Sequence, residues 1–538
     1  MELTWSGIEK KEGWEKAGIM LPGYDGKAVS EATKKAPVWV HFGIGNIFRI
    51  FLGGIADSLL EQGELDRGIT CVETFDLDVV DQIYTPYDNL ALSVILHGDG
   101  RQDRKVLASL SEALKAQYTN SAAWNRLKEI FRAKSLQMVS LTITEKGYAL
   151  KNADNMFFDF VEKDIENGPE KAVSAMAVVT AMLLERYQDG GAPLALVSMD
   201  NCSQNGEKLR ESVLTMTSEW KKRGFVDDGF MRYVSDEAKI SFPWTMIDKI
   251  TPRPAEKIAE ELEAAGVENM RPVTTSKRTY IAPFVNAEET EYLVIEDKYT
   301  NGRPPLELGG VLYVDRETVD KVERMKVCTC LNPLHTAMSI YGCILGYDLI
   351  SAEMEDEDIR GLITKLGHIE AMPVVVDPGV LKPADFIDAV LNRRLPNPFM
   401  PDAPQRIATD TSQKIPIRFG ETIKAYQARG LDMDALILLP LVLAGYARYL
   451  KGIDDTGKAF EPSPDPLLEE LRAIVAPLEV KKGEQDFSCL KTLYSRQDVF
   501  GVDLYAAGLG ERIEGMAREL FDGPGAVRKT LHKYVTAR

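Results

Sequence analysis

The residues best suited to chemistry lie in a few short clusters. The run Val40-His41-Phe42-Gly43-Ile44-Gly45-Asn46-Ile47-Phe48-Arg49 sets a G-x-G turn between an apolar stretch and a helical repeat. Glycines there permit a tight turn and let backbone N–H groups approach a pyrophosphate at a helix N-terminus. The dinucleotide fingerprint carries a third glycine, and Phe48 stands in its place. The next apolar stretch ends at Glu73, with Asp76 close behind. A carboxylate at that point accepts ribose hydroxyls and repels a 2′-phosphate, which favours NAD over NADP. Cofactor contacts are therefore expected from Gly43, Gly45, Asn46, Phe48, Arg49, Glu73 and Asp76. Two more strand-to-loop crossings, Thr144-Glu145-Lys146-Gly147 and Asp200-Asn201 with Asn205-Gly206, fall where open α/β sheets bind ligands.

A further cluster is Glu323-Arg324-Met325-Lys326-Val327-Cys328-Thr329-Cys330-Leu331-Asn332-Pro333-Leu334-His335. On spacing alone, a solvated helix lysine and a satisfied core histidine account for Lys326 and His335. A plain β–turn–α joint accounts equally for the glycine turn, and an Asn-Gly turn for Asn205-Gly206. The segment from Ile407 to Arg418 sets two cations, Lys414 and Arg418, four residues apart. A paired cation of this kind suits a carboxylate, and a surface loop entering a helix is the alternative. Cys328 and Cys330 lack zinc-knuckle spacing and the histidines are not paired at i, i+4, so no metal ligand set is expected.

These residues need elements to hold them. Strands are expected at 38–43, 69–73, 92–96, 137–144 and 194–198. Helices are expected at 47–62, 106–134 and 171–189, with residues 1–36 as an irregular leader. Strands alternating with helices predict a mostly parallel α/β sheet. Beyond about Gly310 helical periods dominate, at 318–325, 334–345, 356–366, 383–392, 419–430, 434–451, 466–476 and 507–521. The reading is a Rossmann-like α/β domain over residues 1–315, followed by an all-helical domain over 316–538.

The chain has 538 residues with a formal net charge of −18. That charge repels nucleic-acid phosphates and anionic lipid surfaces, so neither is an expected partner. The longest apolar run, Ala435 to Ala447, contains Pro440 and is too short to cross a membrane. The N-terminus lacks a signal-peptide core, and scattered cysteines fit reduced thiols, so a cytoplasmic protein is expected. A monomer or small homo-oligomer is the expected state.

Taken together, the segments resemble the polyol-specific long-chain dehydrogenases, the group that includes mannitol dehydrogenase and the fructuronate and tagaturonate reductases. The resemblance runs from Val38 to Asp465. It takes in the glycine turn, Thr144 to Tyr148, Asp200-Asn201 with Asn205-Gly206, Phe242-Pro243, and Asp248-Lys249-Ile250-Thr251-Pro252. It continues through Ile295-Glu296-Asp297, Gly302-Arg303-Pro304, the lysine–asparagine–histidine segment and Gln413-Lys414-Ile415-Pro416.

What the resemblance implies is metal-independent, NAD-dependent interconversion of a sugar-derived alcohol and its ketone. Lys326 would be the general base, with Asn205 and Asn332 donating to the developing alkoxide. His335 would position hydroxyls and Glu323 would pass the proton to solvent. Thr144, Glu145 and Asp248 would contact the cofactor, and Asn201, Asp248 and Lys414 the substrate; Arg418 is expected, from the geometry of its guanidinium, to join Lys414 on a carboxylate. A lysine ammonium titrates near ~10.4 in water, so base chemistry requires a desolvating site. Conversion of a hexuronate-derived ketone, fructuronate to mannonate, is the leading expectation. A mannitol-type polyol reaction and a non-catalytic sugar-acid binder are the alternatives. Two departures stand out: one extra residue separates Lys326 from Asn332, and Pro333 follows the asparagine. A π-bulge or irregular turn is expected to absorb the insertion.

Overall fold

A computed structural model describes residues 1–537. The chain forms two compact units, Met1–Asp320 and Lys321–Arg538. The centre of the first unit is a six-stranded sheet made of β1 (Trp39–Phe42), β2 (Ile69–Glu73), β3 (Leu110–Lys115), β4 (Met138–Leu141), β5 (Leu194–Ser198) and β6 (Ile240–Ser241). Its order is β3-β2-β1-β4-β5-β6, and every pairing is parallel. This is the strand order of a doubly wound dinucleotide-binding sheet, whose reversal between β1 and β4 opens a crevice at the strands' carboxyl ends. Strands β1, β2, β4 and β5 are buried along their whole length, as covered parallel strands must be.

The covering helices are α1 (Gly53–Gln62), α2 (Ser121–Arg132), α3 (Ala175–Gln188) and α4 (Asn205–Lys222). The Asn120 side chain accepts the Ala123 N–H and Ser174 that of Ala177, so α2 and α3 start on side-chain caps.

Two expectations fail in this unit. Residues 106–115, read as helical, are strand: Gln102–Leu107 pairs antiparallel with Ala91–Leu96, and β3 forms an edge of the main sheet. Ser-Glu-Ala-Leu-Lys has helix propensity, but its register against β2 overrides that weak preference. Residues 1–36 are ordered, with helices Trp5–Ile8, Lys11–Lys16 and Gly26–Lys35 and a strand, Ile19–Met20, paired to Gln102–Leu107. Buried Trp14 and the Asp25 carboxylate, which accepts the Ala28 N–H, hold that segment in place.

The second unit is helical. Helix α5 (Arg316–Met325), which crosses the division between the units, runs into a π turn over Lys326–Cys330, and α6 (Asn332–Leu345) follows at once. Downstream lie α7 (Glu421–Arg429) and the wholly buried α8 (Leu438–Leu450). Helix α8 begins later than expected because Met433–Ala435 is a 3₁₀ turn. The Glu370 carboxylate accepts the N–H groups of Ile437, Leu438 and Leu439 at 2.6–2.9 Å and caps this helix. No helix among the described residues is long and apolar enough to cross a membrane.

Candidate active site

The glycine turn is built as its residues require. Gly43 has φ +87°, and a Cβ there would lie 2.1 Å from the Thr142 carbonyl oxygen. Around Gly45 nothing lies within 4 Å of such a position, so the start of the following helix is open to a bulky anion. Glu73 locks the turn from β2: its Oε2 accepts the Ile44 N–H at 3.3 Å, and its Oε1 accepts those of Thr74, Phe75 and Asp76. Both oxygens are engaged and the side chain is buried, so Glu73 shapes the turn instead of meeting a ribose.

Phe48 and Arg49 also fall away as cofactor contacts. Phe48 is fully buried, stacked 4.0 Å from His41, an imidazole that burial pushes down to about 3. Arg49 is buried too, donating to the Ala282 carbonyl and the Asn46 side chain at 2.8 and 2.7 Å. Both sit in a π turn, Phe48–Leu52, whose five residues are all buried.

Beside β2 and β3, at their carboxyl ends, lies a cavity of about 320 Å³ walled by Thr74 to Asp78, Gln117 and Lys277. Asp76 lines it while accepting the Thr275 hydroxyl at 2.6 Å. Phe75 is 70% exposed with the Lys277 amine over its ring, and Asp78 accepts the Ser276 N–H. An exposed aromatic and carboxylates at this place fit an adenosine. Phe75, Asp78 and Lys277 were missed from sequence; the polar run after Glu73 was the only signal.

At the neighbouring crossings, Asp200 Oδ1 and Oδ2 accept the N–H groups of Thr144 and Ile143, and Thr144 holds φ +64°. Exposed Glu145 pairs with Lys208. Asp248 is buried at the end of strand Thr245–Asp248. Asn201 is exposed on the loop after β5.

Asn205 is the clearest correction. It is 1% exposed, and its amide donates to the Asp200 and Thr245 carbonyls and the Thr245 hydroxyl while accepting the Thr245 N–H. No N–H is left for an alkoxide. Asn205→Ala is expected to cost roughly 3 kcal/mol of stability, because several buried polar groups lose their partner. Calorimetry should show the lower melting temperature, with turnover of the folded fraction little changed. A variant of native stability that had lost turnover would return Asn205 to the chemistry.

In the second unit the inserted residue is taken up by the π turn: the Leu331 N–H donates to the Lys326 carbonyl at 3.1 Å, an i→i+5 bond. Lys326 begins that turn and is 3% exposed. Leu331 then breaks the path (φ −131°, ψ −61°), and Asn332 opens α6 with Pro333 in the first turn, where its missing N–H does no harm. Asn332 and Glu323 are both half-buried.

Arg418 donates to the Thr336 hydroxyl at 2.6 Å and the Asn332 carbonyl at 3.3 Å. Burial lowers it to about 10, and no carboxylate partners it among the described residues. Lys414 is held by the carbonyls of Ile407 and Thr409 and is lowered to about 8, by burial first and then by Arg418. His335 is pushed down to about 3, by burial and then by the Arg394, Arg418 and Arg406 guanidiniums, against Asp402. It is a neutral imidazole among cations.

Arg394, buried and close enough to lower His335 electrostatically, was not anticipated; the Arg393-Arg394 pair before Pro396-Asn397-Pro398 was the available signal. Lys326, Arg394 and Arg418 all lie in π turns, an arrangement frequent at functional sites. No group of three or more His, Cys, Asp or Glu among the described residues is placed to hold a metal ion.

A doubly wound sheet with an open glycine turn, and a helical unit with a buried lysine in a π turn, an asparagine opening the next helix and a neutral histidine on that helix, define a two-domain dehydrogenase. Residues 37–308 match the mannitol dehydrogenase Rossmann domain and residues 318–517 the mannitol dehydrogenase C-terminal domain. The chain belongs to the mannitol dehydrogenase family. It is 50% identical to a D-mannonate oxidoreductase of Thermotoga maritima, over 99% of both chains. A polyol:NADP oxidoreductase of Gluconobacter oxydans is 29% identical over 83% of this chain and 86% of its own. The fold matches that of Pseudomonas fluorescens mannitol 2-dehydrogenase, solved with NAD and D-mannitol, with a TM-score of 0.72 at 23% identity and 100% coverage of both chains.

Proposed function

We propose that this protein interconverts D-mannonate and D-fructuronate with NAD, using Lys326 as general base. The observation that carries the reading is the set of cations linked through Arg418, which with Arg394 acts on neutral His335 and in turn acts on Lys414. Arg418 has no carboxylate partner among the described residues and depresses Lys414 beside it, which marks a local positive field in an acidic protein that suits a sugar acid better than an uncharged polyol. The 50% identical D-mannonate oxidoreductase supports the same choice.

A nicotinamide dinucleotide, when bound, supplies the hydride acceptor for oxidation and the donor for reduction. The backbone of Gly43 to Asn46 would hold its pyrophosphate, with Thr144 and Glu145 at the neighbouring crossing. Asp76, Asp78 and Phe75 would hold its adenosine half. Lys326 removes the hydroxyl proton of mannonate and returns a proton to the carbonyl oxygen of fructuronate. The Asn332 amide donates to the oxygen as charge develops on it. Neutral His335 hydrogen-bonds substrate hydroxyls, as do Asn201 and Asp248. Glu323, one helical turn before Lys326, passes the proton towards solvent. Arg418 and Lys414 hold the carboxylate.

The test is a rate comparison across keto-uronates and ketohexoses with NADH and NADPH. Fructuronate with NADH is expected to be the best pair; a wild-type preference for fructose rejects the assignment. The pH dependence gives a sharper check. Lys414 is charged below about 8 and neutral above it. The KM for fructuronate should therefore rise roughly tenfold between about pH 7 and about pH 9.5 as one charged hydrogen bond is lost. Fructose should show no such rise, and Lys414→Arg should flatten the fructuronate profile. A rise shared by both substrates would assign the titration elsewhere.

A further inference from the structure

Behind the π turn that begins at Lys326 lies a second cavity, of about 240 Å³, within the helical unit. Its walls come from the end of α5, the π turn itself, the segment around Val374 and helix α7. None of the proposed mechanism uses it. Three cations line it, Arg324, Lys424 and Arg429, against one carboxylate, Glu421. Glu421 already neutralises Lys424, at 2.8 Å. Arg429 donates only to the Pro373 and Val374 carbonyls, at 2.8 and 3.3 Å. Exposed Arg324 has no hydrogen-bond or ion-pair partner among the described residues. Two guanidiniums thus face this space without a carboxylate, while Val374 and Ala425 give it an apolar wall.

We propose that this cavity is a binding site for a small dicarboxylate, with carboxylates on Arg324 and Arg429 and methylenes against Val374 and Ala425. Guanidinium forks match carboxylates, and the volume suits a molecule of this size rather than a dinucleotide. The occupant rests against Cys328 and Thr329, inside the five-residue turn that starts at Lys326, so binding restrains that turn.

Cys328 reports on the site directly because it lines the cavity and forms no disulfide. The full-length enzyme is treated with iodoacetamide, with and without succinate at matched ionic strength, and labelling at each cysteine is followed by peptide mass spectrometry. Cys328 should label in the absence of succinate. It should slow about tenfold when succinate reaches about ten times its Kd, expected at roughly 1 mM or tighter. Cys202 and Cys489, also partly exposed, serve as internal controls and should not change. Arg324→Glu removes a side chain without structural partners, so it should leave the fold and Cys328 labelling intact and abolish protection. Three results overturn the proposal: a Cys328 that never labels, labelling that succinate does not slow, or equal protection in Arg324→Glu.

Discussion

Replacing Lys326 by alanine is expected to lower kcat by a factor of roughly 100 to 10,000, the span that one positioned acid–base group supplies. The expectation rests on position as much as residue type. Lys326 is 3% exposed at the start of a π turn, where a surface lysine would stay in water. The proposed role as base adds specific signatures. The pH-rate profile of the variant should lose the limb that reports the base, and small primary amines should restore part of the rate. NADH affinity should stay near wild type, since the proposed dinucleotide contacts lie in the first unit. A loss below about tenfold, without a change in the pH profile, would remove Lys326 from the chemistry.

Arg418→Leu is expected to lose about 2–4 kcal/mol of transition-state binding with fructuronate, a factor of roughly 30 to 1,000 in kcat/KM. With an uncharged ketohexose the loss should be small. The structure adds a complication, because the same guanidinium holds the Thr336 hydroxyl and the Asn332 carbonyl at the start of α6. Thr336→Val separates the two roles: it removes one of those bonds and keeps the cation. If Arg418 binds the carboxylate, Thr336→Val should retain most fructuronate activity while Arg418→Leu does not. Equal losses on both substrates in Arg418→Leu would make the residue a brace for α6.

Much of the fold was legible because local sequence carries it. The strands at 39–42, 69–73 and 194–198, the G-x-G turn and the switch to helical periods near residue 310 all emerged where short-range patterns placed them. That the residue added between Lys326 and Asn332 must be absorbed locally was legible too, since it would turn a helix by ~100°, but sequence left a π-bulge and an irregular turn both open. The strand at 110–115 was not, because its Ser-Glu-Ala-Leu-Lys looks helical until it meets β2. The ordered N-terminal segment was not, because its ties reach residues distant in sequence: the Met1 amine to Glu268, the Trp5 N–H to Asp88, and Ile19–Met20 to Arg104 and Lys105.

The candidate site divides along the same line. Sequence alone determined which residue types stand at strand ends and helix starts, and hence the kind of chemistry available: a phosphate-binding turn, a lysine, an asparagine, a histidine and paired cations. Only the tertiary structure decided which of them are already bound within the protein. Asn205 spends its amide on Thr245, 40 residues away, and Arg49 spends its guanidinium on Ala282, 233 away. Arg418 reaches Thr336 across 82 residues, and Arg394, signalled locally only by its arginine neighbour, acts on His335 from a separate helical segment. A buried polar group must find a partner wherever the chain brings one. Periodicity extends over a few residues, whereas those partners are chosen by packing across the whole unit.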